Sequence, residues 1–194
     1  MKCLPEYYGR LWPILVIGLA AGLGSCRESR FIVPPTQLLG GSLNTKVAEQ
    51  SPRFSYDGRY LAFASDRQGN RGVWVYDFQQ RRLLSLPGLN QPGSLQDQPD
   101  ISADGRYLVY LSEQEGKPDI FLYDRQTLQS ENLTRDWVGE VRQPAISGNG
   151  RFVAFEANRG GQWDIVIYDR GGEILPSLPQ DSPTQRSSDG GLKK

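Results

Sequence analysis

The sequence predicts an all-β fold of three four-stranded β-propeller blades, and three observations predict it. One pattern recurs: Pro52, Ser55, Asp57-Gly58-Arg59, Tyr60-Leu61-Ala62-Phe63 and Tyr76-Asp77 return 47 residues later as Pro99, Ser102, Asp104-Gly105-Arg106, Tyr107-Leu108-Val109-Tyr110 and Tyr123-Asp124. After a further 45 residues they return again as Pro144, Ser147, Asn149-Gly150-Arg151, Phe152-Val153-Ala154-Phe155 and Tyr168-Asp169. A period in the forties built from short β-type segments is the mark of propeller blades. Second, short runs of β-branched and aromatic residues alternate with Gly, Pro, Asn and Asp, the punctuation of strands and turns. Third, no window sustains a 3.6-residue apolar period, so almost no helix is expected after the N-terminal segment.

Residues 1–25 read as an address rather than as part of the fold. Lys2 and Arg10 precede an apolar run from Leu11 to Leu23. Such a run is too short for a membrane-spanning helix, which needs about 20 residues, and suits a secretory signal. Leu23-Gly24-Ser25-Cys26 follows directly and resembles the lipobox of bacterial lipoproteins. That resemblance implies cleavage before Cys26 and acylation of Cys26. Arg27 stands where an inner-membrane retention signal would have aspartate, which favours the outer membrane. Residues 26–49 are then an anchor linker: Pro34-Pro35 is a semi-rigid spacer, and Leu38 to Leu43 could supply a capping strand.

Within residues 50–179 the blades fall at about 50–89, 97–135 and 142–179. A short first strand runs from the proline to the serine, since proline belongs at a strand start or edge. Asp57-Gly58, Asp104-Gly105 and Asn149-Gly150 are hairpin turns, because glycine takes positive φ without steric cost. Ser55, Ser102 and Ser147 stand two residues earlier, where a hydroxyl can satisfy turn amides. Second strands follow at 60–64, 107–111 and 152–155, apolar on both faces as expected between neighbouring blades. Third strands are Val73 to Tyr76, Ile120 to Tyr123 and Ile165 to Tyr168. Outermost strands are expected at Leu83–Leu86, Asn132–Thr134 and Ile174-Leu175. Residues 180–194, rich in Ser, Pro, Gln, Asp and Gly, read as a disordered tail.

This repeat, Pro-x-Ile/Phe-Ser-x-Asp-Gly-Arg followed by a Tyr-Asp at the end of the third strand, resembles the repeat of the TolB-like propeller family, itself WD-like. The resemblance implies a location in the bacterial envelope and a role in protein–protein binding without catalysis.

Composition narrows the chemistry. Lys and Arg total 22 against 22 Asp and Glu, so no basic stripe favours nucleic acid. Histidine is absent from the chain, which removes the commonest general base and metal ligand. No catalytic, cofactor-binding or metal residues are assigned, and no cofactor is expected. The Asp-Gly turns lie on separate blades, whereas calcium needs six to eight converging oxygens. Trp137 with Arg135 and Arg142, outside the repeat, is the candidate binding cluster, with a wedge between blades as the equal alternative.

Three blades are fewer than the four to eight of a closed propeller, and leave two flat apolar faces. A symmetric dimer completing a six-bladed ring would cover them, as would capping by residues 31–44 and the tail. The expected function is a lipid-anchored scaffold on the periplasmic side of a bacterial membrane, binding envelope proteins. The alternative is a sugar- or peptide-processing enzyme using carboxylates on an assembled rim.

Overall fold

Two four-stranded sheets and one three-stranded sheet, all antiparallel, follow one another along the chain in a computed structural model that describes residues 41–172. The leader, Cys26, most of the linker, the strand expected at Ile174-Leu175 and the tail lie outside these residues. Blade 1 is β1 (Glu49–Phe54), β2 (Tyr60–Ser65), β3 (Gly72–Asp77) and β4 (Arg82–Leu83); blade 2 is β5 (Gln96–Ile101), β6 (Tyr107–Ser112), β7 (Asp119–Asp124) and β8 (Gln129–Asn132). Blade 3 contains β9 (Glu140–Ile146), β10 (Phe152–Arg159) and β11 (Gln162–Asp169). No helix forms among the described residues.

Three sets of strand limits differ from the sequence expectation. In blade 3 the second and third strands run past the expected 152–155 and 165–168 to Phe152–Arg159 and Gln162–Asp169, because their pairing continues to Arg159 and Gln162. The first strands begin before their prolines, because each carries a bulge there. Ser51, Gln98 and Gln143 sit at φ of 52°, 52° and 51° immediately ahead of Pro52, Pro99 and Pro144, and the register slips at those points. A bulge leaves one residue unpaired, so a proline without an N–H costs the ladder nothing there. The outermost strands are shorter or earlier than expected: Arg82–Leu83 in place of Leu83–Leu86, and Gln129–Asn132 in place of Asn132–Thr134. Leu128, at φ 60°, closes a tight turn back to the Asp124 carbonyl at 2.8 Å and brings Gln129 into pairing early. A polar strand at a wet edge carries no apolar alternation from which to read its ends.

The short β4 is supplemented by a side chain. Asn90 accepts from Val73 N at 2.7 Å and donates to Val73 O at 2.8 Å, and is itself held by the buried Gln96. Blade 2 meets the same need at Ile120 with the Thr134 hydroxyl and the Leu133 amide.

The cores lie between blades. Ala62, Val73 and Val75 of blade 1 pack with Ile101, Leu108, Tyr110, Phe121 and Tyr123 of blade 2. Tyr107, Val109, Leu111, Ile120 and Leu122, on the other side of blade 2, pack with Val141, Val153, Phe155 and Ala157 of blade 3. Side chains alternate across a strand, so each blade has a leading face turned to the blade before it and a trailing face turned to the blade after it.

Candidate interaction surface

Each blade is closed on itself by a clasp built from the two landmark motifs. Ser55, Ser102 and Ser147 donate to Asp57, Asp104 and Asn149 at 2.7, 2.8 and 2.7 Å, and their oxygens accept the amides of Tyr60, Tyr107 and Phe152. Gly58, Gly105 and Gly150 take φ of 69°, 74° and 76° in these turns. The arginine that follows reaches across the sheet to the aspartate ending the third strand: Arg59 to Asp77 at 3.0 Å, Arg106 to Asp124 at 2.8 Å and Arg151 to Asp169 at 2.7 Å. Those aspartates also accept turn amides from Gln79, Gln126 and Gly171. Arg151 holds the Asp169 carboxyl down at about 2, and the Arg59 amide with the Ser55 hydroxyl lowers Asp57. At Asp124, burial works most strongly against ionisation, but the Arg106 guanidinium and the Gln126 and Thr127 amides together outweigh it and the carboxyl is lowered.

Adjacent blades are joined by a second repeated contact. A Cβ on Gly105 would run into the Tyr60 ring, and one on Gly150 would stand 2.5 Å from the Tyr107 ring. Arg125 lies over Tyr60 and Arg170 over Tyr107, each 4.3 Å from the ring centre. Each of these arginines also donates to the carbonyl of its own turn glycine, Gly105 or Gly150. The aromatic that opens β2 or β6 is thus clamped by the glycine and the arginine of the next blade. Backbone bonds of 3.0 Å, from Tyr56 N to Ala103 O and from Ala103 N to Gly148 O, run alongside.

The ends of the array differ from its interior. On the trailing face of blade 3, Phe152, Ile165 and Ile167 are 41%, 69% and 66% exposed, whereas the matching Tyr107, Ile120 and Leu122 are 3%, 0% and 2% exposed. Ala145, Ile146, Ser147, Phe152, Ala154 and Ile167 line an apolar hollow of about 470 Å³ there. The leading face of blade 1 is not the flat open face the sequence suggested. Leu61 and Phe63 are buried, and Arg67 stacks 5.0 Å from Phe63 and 5.2 Å from Trp74. Arg67 is fixed by the carbonyls of Ser42 and Leu43 and by Glu49. Among the described residues, the end of this face near the Asp-Gly-Arg turn is the part that stays open, where Phe54 is 59% and Phe78 40% exposed. Phe78 packs on Tyr76 and Phe54 at 5.2 and 5.8 Å between ring centres.

The structure separates the residues of the sequence-derived binding cluster. Trp137 tucks between blades 2 and 3, edge-on to Phe155 at 5.9 Å and beneath Arg159 at 4.0 Å. Arg135 pairs with Glu115 of blade 2 at 2.9 Å. Arg142 pairs with Glu156 of blade 3 and lies 3.8 Å from the Trp163 ring centre. Among the described residues, no three His, Cys, Asp or Glu side chains gather as a metal site. Sequence reasoning expected an apolar face at each end of the array, with the strand of Phe152 in the second, but did not single out Phe54, Phe78, Ile165 or Ile167 on them. Aligning the three repeats position by position would have found Phe78, which stands where the other blades have Arg125 and Arg170.

The family profile described as the TolB beta propeller domain matches residues 40–188. Among solved structures, TolB from Acinetobacter baumannii superposes with a TM-score of 0.55 at 21% identity, over 69% of this chain and 33% of that one. A putative TolB from Agrobacterium tumefaciens gives a TM-score of 0.52 at 20% identity, over 71% of this chain and 50% of that one. These likenesses are of fold, and the chain spans a third to a half of the structures it matches. No curated protein matches it.

Proposed function

Since the chain belongs to the TolB beta propeller domain family, we propose that it is a lipid-anchored, non-catalytic scaffold of the bacterial envelope that binds protein through the trailing face of blade 3. The observation that carries this reading is the contrast between that face and its twin in blade 2. Phe152, Ile165 and Ile167 present to solvent the positions that the preceding blade keeps dry. Exposed contiguous apolar surface of this kind marks an interaction site. The anchor is Cys26, from the lipobox resemblance, with the periplasmic side of the outer membrane as its place. The aspartates that end the third strands, Asp77, Asp124 and Asp169, are each committed to an arginine and to turn amides, which favours a structural over a catalytic role for them.

Two measurements on the full chain in bacterial cells test this. A fatty-acid analogue should label the wild type and not Cys26→Ser. A photo-crosslinking amino acid at Ile167 should give protein adducts, whereas one at the exposed Gln126 should not. Equal labelling of wild type and Cys26→Ser would remove the anchor, and a silent Ile167 would remove the binding surface.

A further inference from the structure

The three repeats depart from one another at two positions that face opposite ends of the array. At the position clamped by the following blade stand Tyr60, Tyr107 and Phe152; at the clamping position stand Phe78, Arg125 and Arg170. Arg125 and Arg170 cover the two tyrosines. The chain therefore uses both tyrosine–arginine pairs internally and is left with a phenylalanine at each end. The turn glycines repeat this pattern. Gly105 and Gly150 are filled by the rings of Tyr60 and Tyr107, whereas no described atom lies within 4 Å of a Cβ built on Gly58.

A third position agrees. Phe54 occupies the place in β1 that Ile101 and Ile146 hold in β5 and β9, and both isoleucines pack in the cores between blades. Phe54 itself is largely exposed. Opposite, the trailing face of blade 3 offers small side chains, Ala145 and Ala154, in its apolar hollow beside Phe152 and Ile167. A large ring at one end meets small residues at the other. Both surfaces lie at the Asp-Gly-Arg end of their blades, where Arg67 does not intrude on blade 1.

We propose that the protein bound by the trailing face of blade 3 is a second copy of this chain, docked head to tail. Phe54 of the second copy enters the hollow of Ala145, Ala154 and Ile167, and its Gly58 and Phe78 close over Phe152. The contact reproduces the junctions between blades 1 and 2 and between blades 2 and 3, with Phe–Phe replacing Tyr–Arg. It is heterologous, so two copies close on each other if the three blades turn through half a circle. This inference rests on the binding surface proposed above and names its occupant.

The test uses two differently tagged full-length copies expressed together in cells. A photo-crosslinking amino acid at Ile167 of one copy should attach to a peptide containing Phe54 or Phe78 of the other. Phe54→Asp should cut that yield at least tenfold when carried by both copies, and so should Ile167→Lys, read by a crosslinker at Ile165. Pairing an Ile167→Lys copy with a Phe54→Asp copy should restore the crosslink, because the two new charges meet only in the head-to-tail arrangement. Both positions are exposed, and unchanged melting of each variant shows that folding is not the cause of a loss. Adducts from Ile167 to a different protein would overturn self-docking and leave the binding surface standing. Adducts confined to residues 173–194 of the same copy, or no adducts, would overturn both.

Discussion

Tyr107, Ile120 and Leu122 in blade 2 and Phe152, Ile165 and Ile167 in blade 3 hold the same places in the repeat, and only the first set is covered. Their side chains are of similar size and apolarity, and the sheets that carry them share a register from strand to strand. What differs is the presence of a next blade. Blade 2 is stabilised on both faces, blade 3 among the described residues on one. A propeller blade therefore behaves as a repeat whose energy resides at its junctions, and in the reading proposed above the trailing face of blade 3 keeps its apolar surface for a partner.

The sharpest way to break this comparison is to place the same charge in both faces. Leu122→Lys should cost more than about 3 kcal/mol, because it buries an unpaired ammonium, and should unfold blades 2 and 3 in a denaturant melt. Ile167→Lys, measured where the chain is monomeric, should stay within about 0.5 kcal/mol of the wild type. Equal losses would mean that the blade 3 face is already covered.

The turn glycines give the next largest effect. Gly105→Ala forces a positive φ on alanine, about 1–2 kcal/mol, and drives its Cβ into the Tyr60 ring, a further ~1–3 kcal/mol. Gly58→Ala carries the first cost without the second, since its surroundings are open. Thermal melting of the monomer should rank Gly105→Ala and Gly150→Ala well below Gly58→Ala. If Gly58→Ala proves as damaging, its seat is occupied.

Arg170→Met should cost about 0.5–1 kcal/mol by removing the cation over Tyr107, with some loss from the Gly150 carbonyl it caps. Phe78→Met, which leaves no such pair behind, should be close to neutral in the monomer.

The smallest effect is an acid one. Asp57, Asp124 and Asp169 have carboxyls lowered in the folded chain from their ordinary value of 3.8, to about 2 for Asp169. Such groups add stability that is fully present above pH ~4 and is lost as the pH falls through their folded values. Stability should therefore fall between pH ~4 and ~2. Asp124→Asn should flatten the slope in that window and leave the slope above pH 5 unchanged.

Much of this fold was legible in the sequence because its landmarks are local. The Ser-x-Asp-Gly-Arg turns and the apolar second and third strands announce themselves within a few residues, and β2, β6 and β7 lie within a residue of their expected limits. The clasp between Arg59, Arg106 or Arg151 and its aspartate was overlooked because it joins residues 18 apart across a sheet. The constant separation in three copies was its only trace. Trp137 reads equally as a hot spot or a wedge until its neighbours Phe155 and Arg159 are known. The apolar character of Ile165 and Ile167 is identical to that of buried Ile120 and Leu122, and only the count of three blades marked their face as an open end.

Asn90 has a consequence for solubility. A blade whose fourth strand is only Arg82–Leu83 would leave the upper edge of β3 with bare amide and carbonyl groups, the kind of edge on which a foreign strand can template. By taking both the N–H and the C=O of Val73, the Asn90 carboxamide occupies that edge with one side chain. A foreign segment would have to displace it, and with it the Gln96 contact that holds the connection in place. Edge-on fibril growth is thereby discouraged in blade 1 without lengthening its fourth strand.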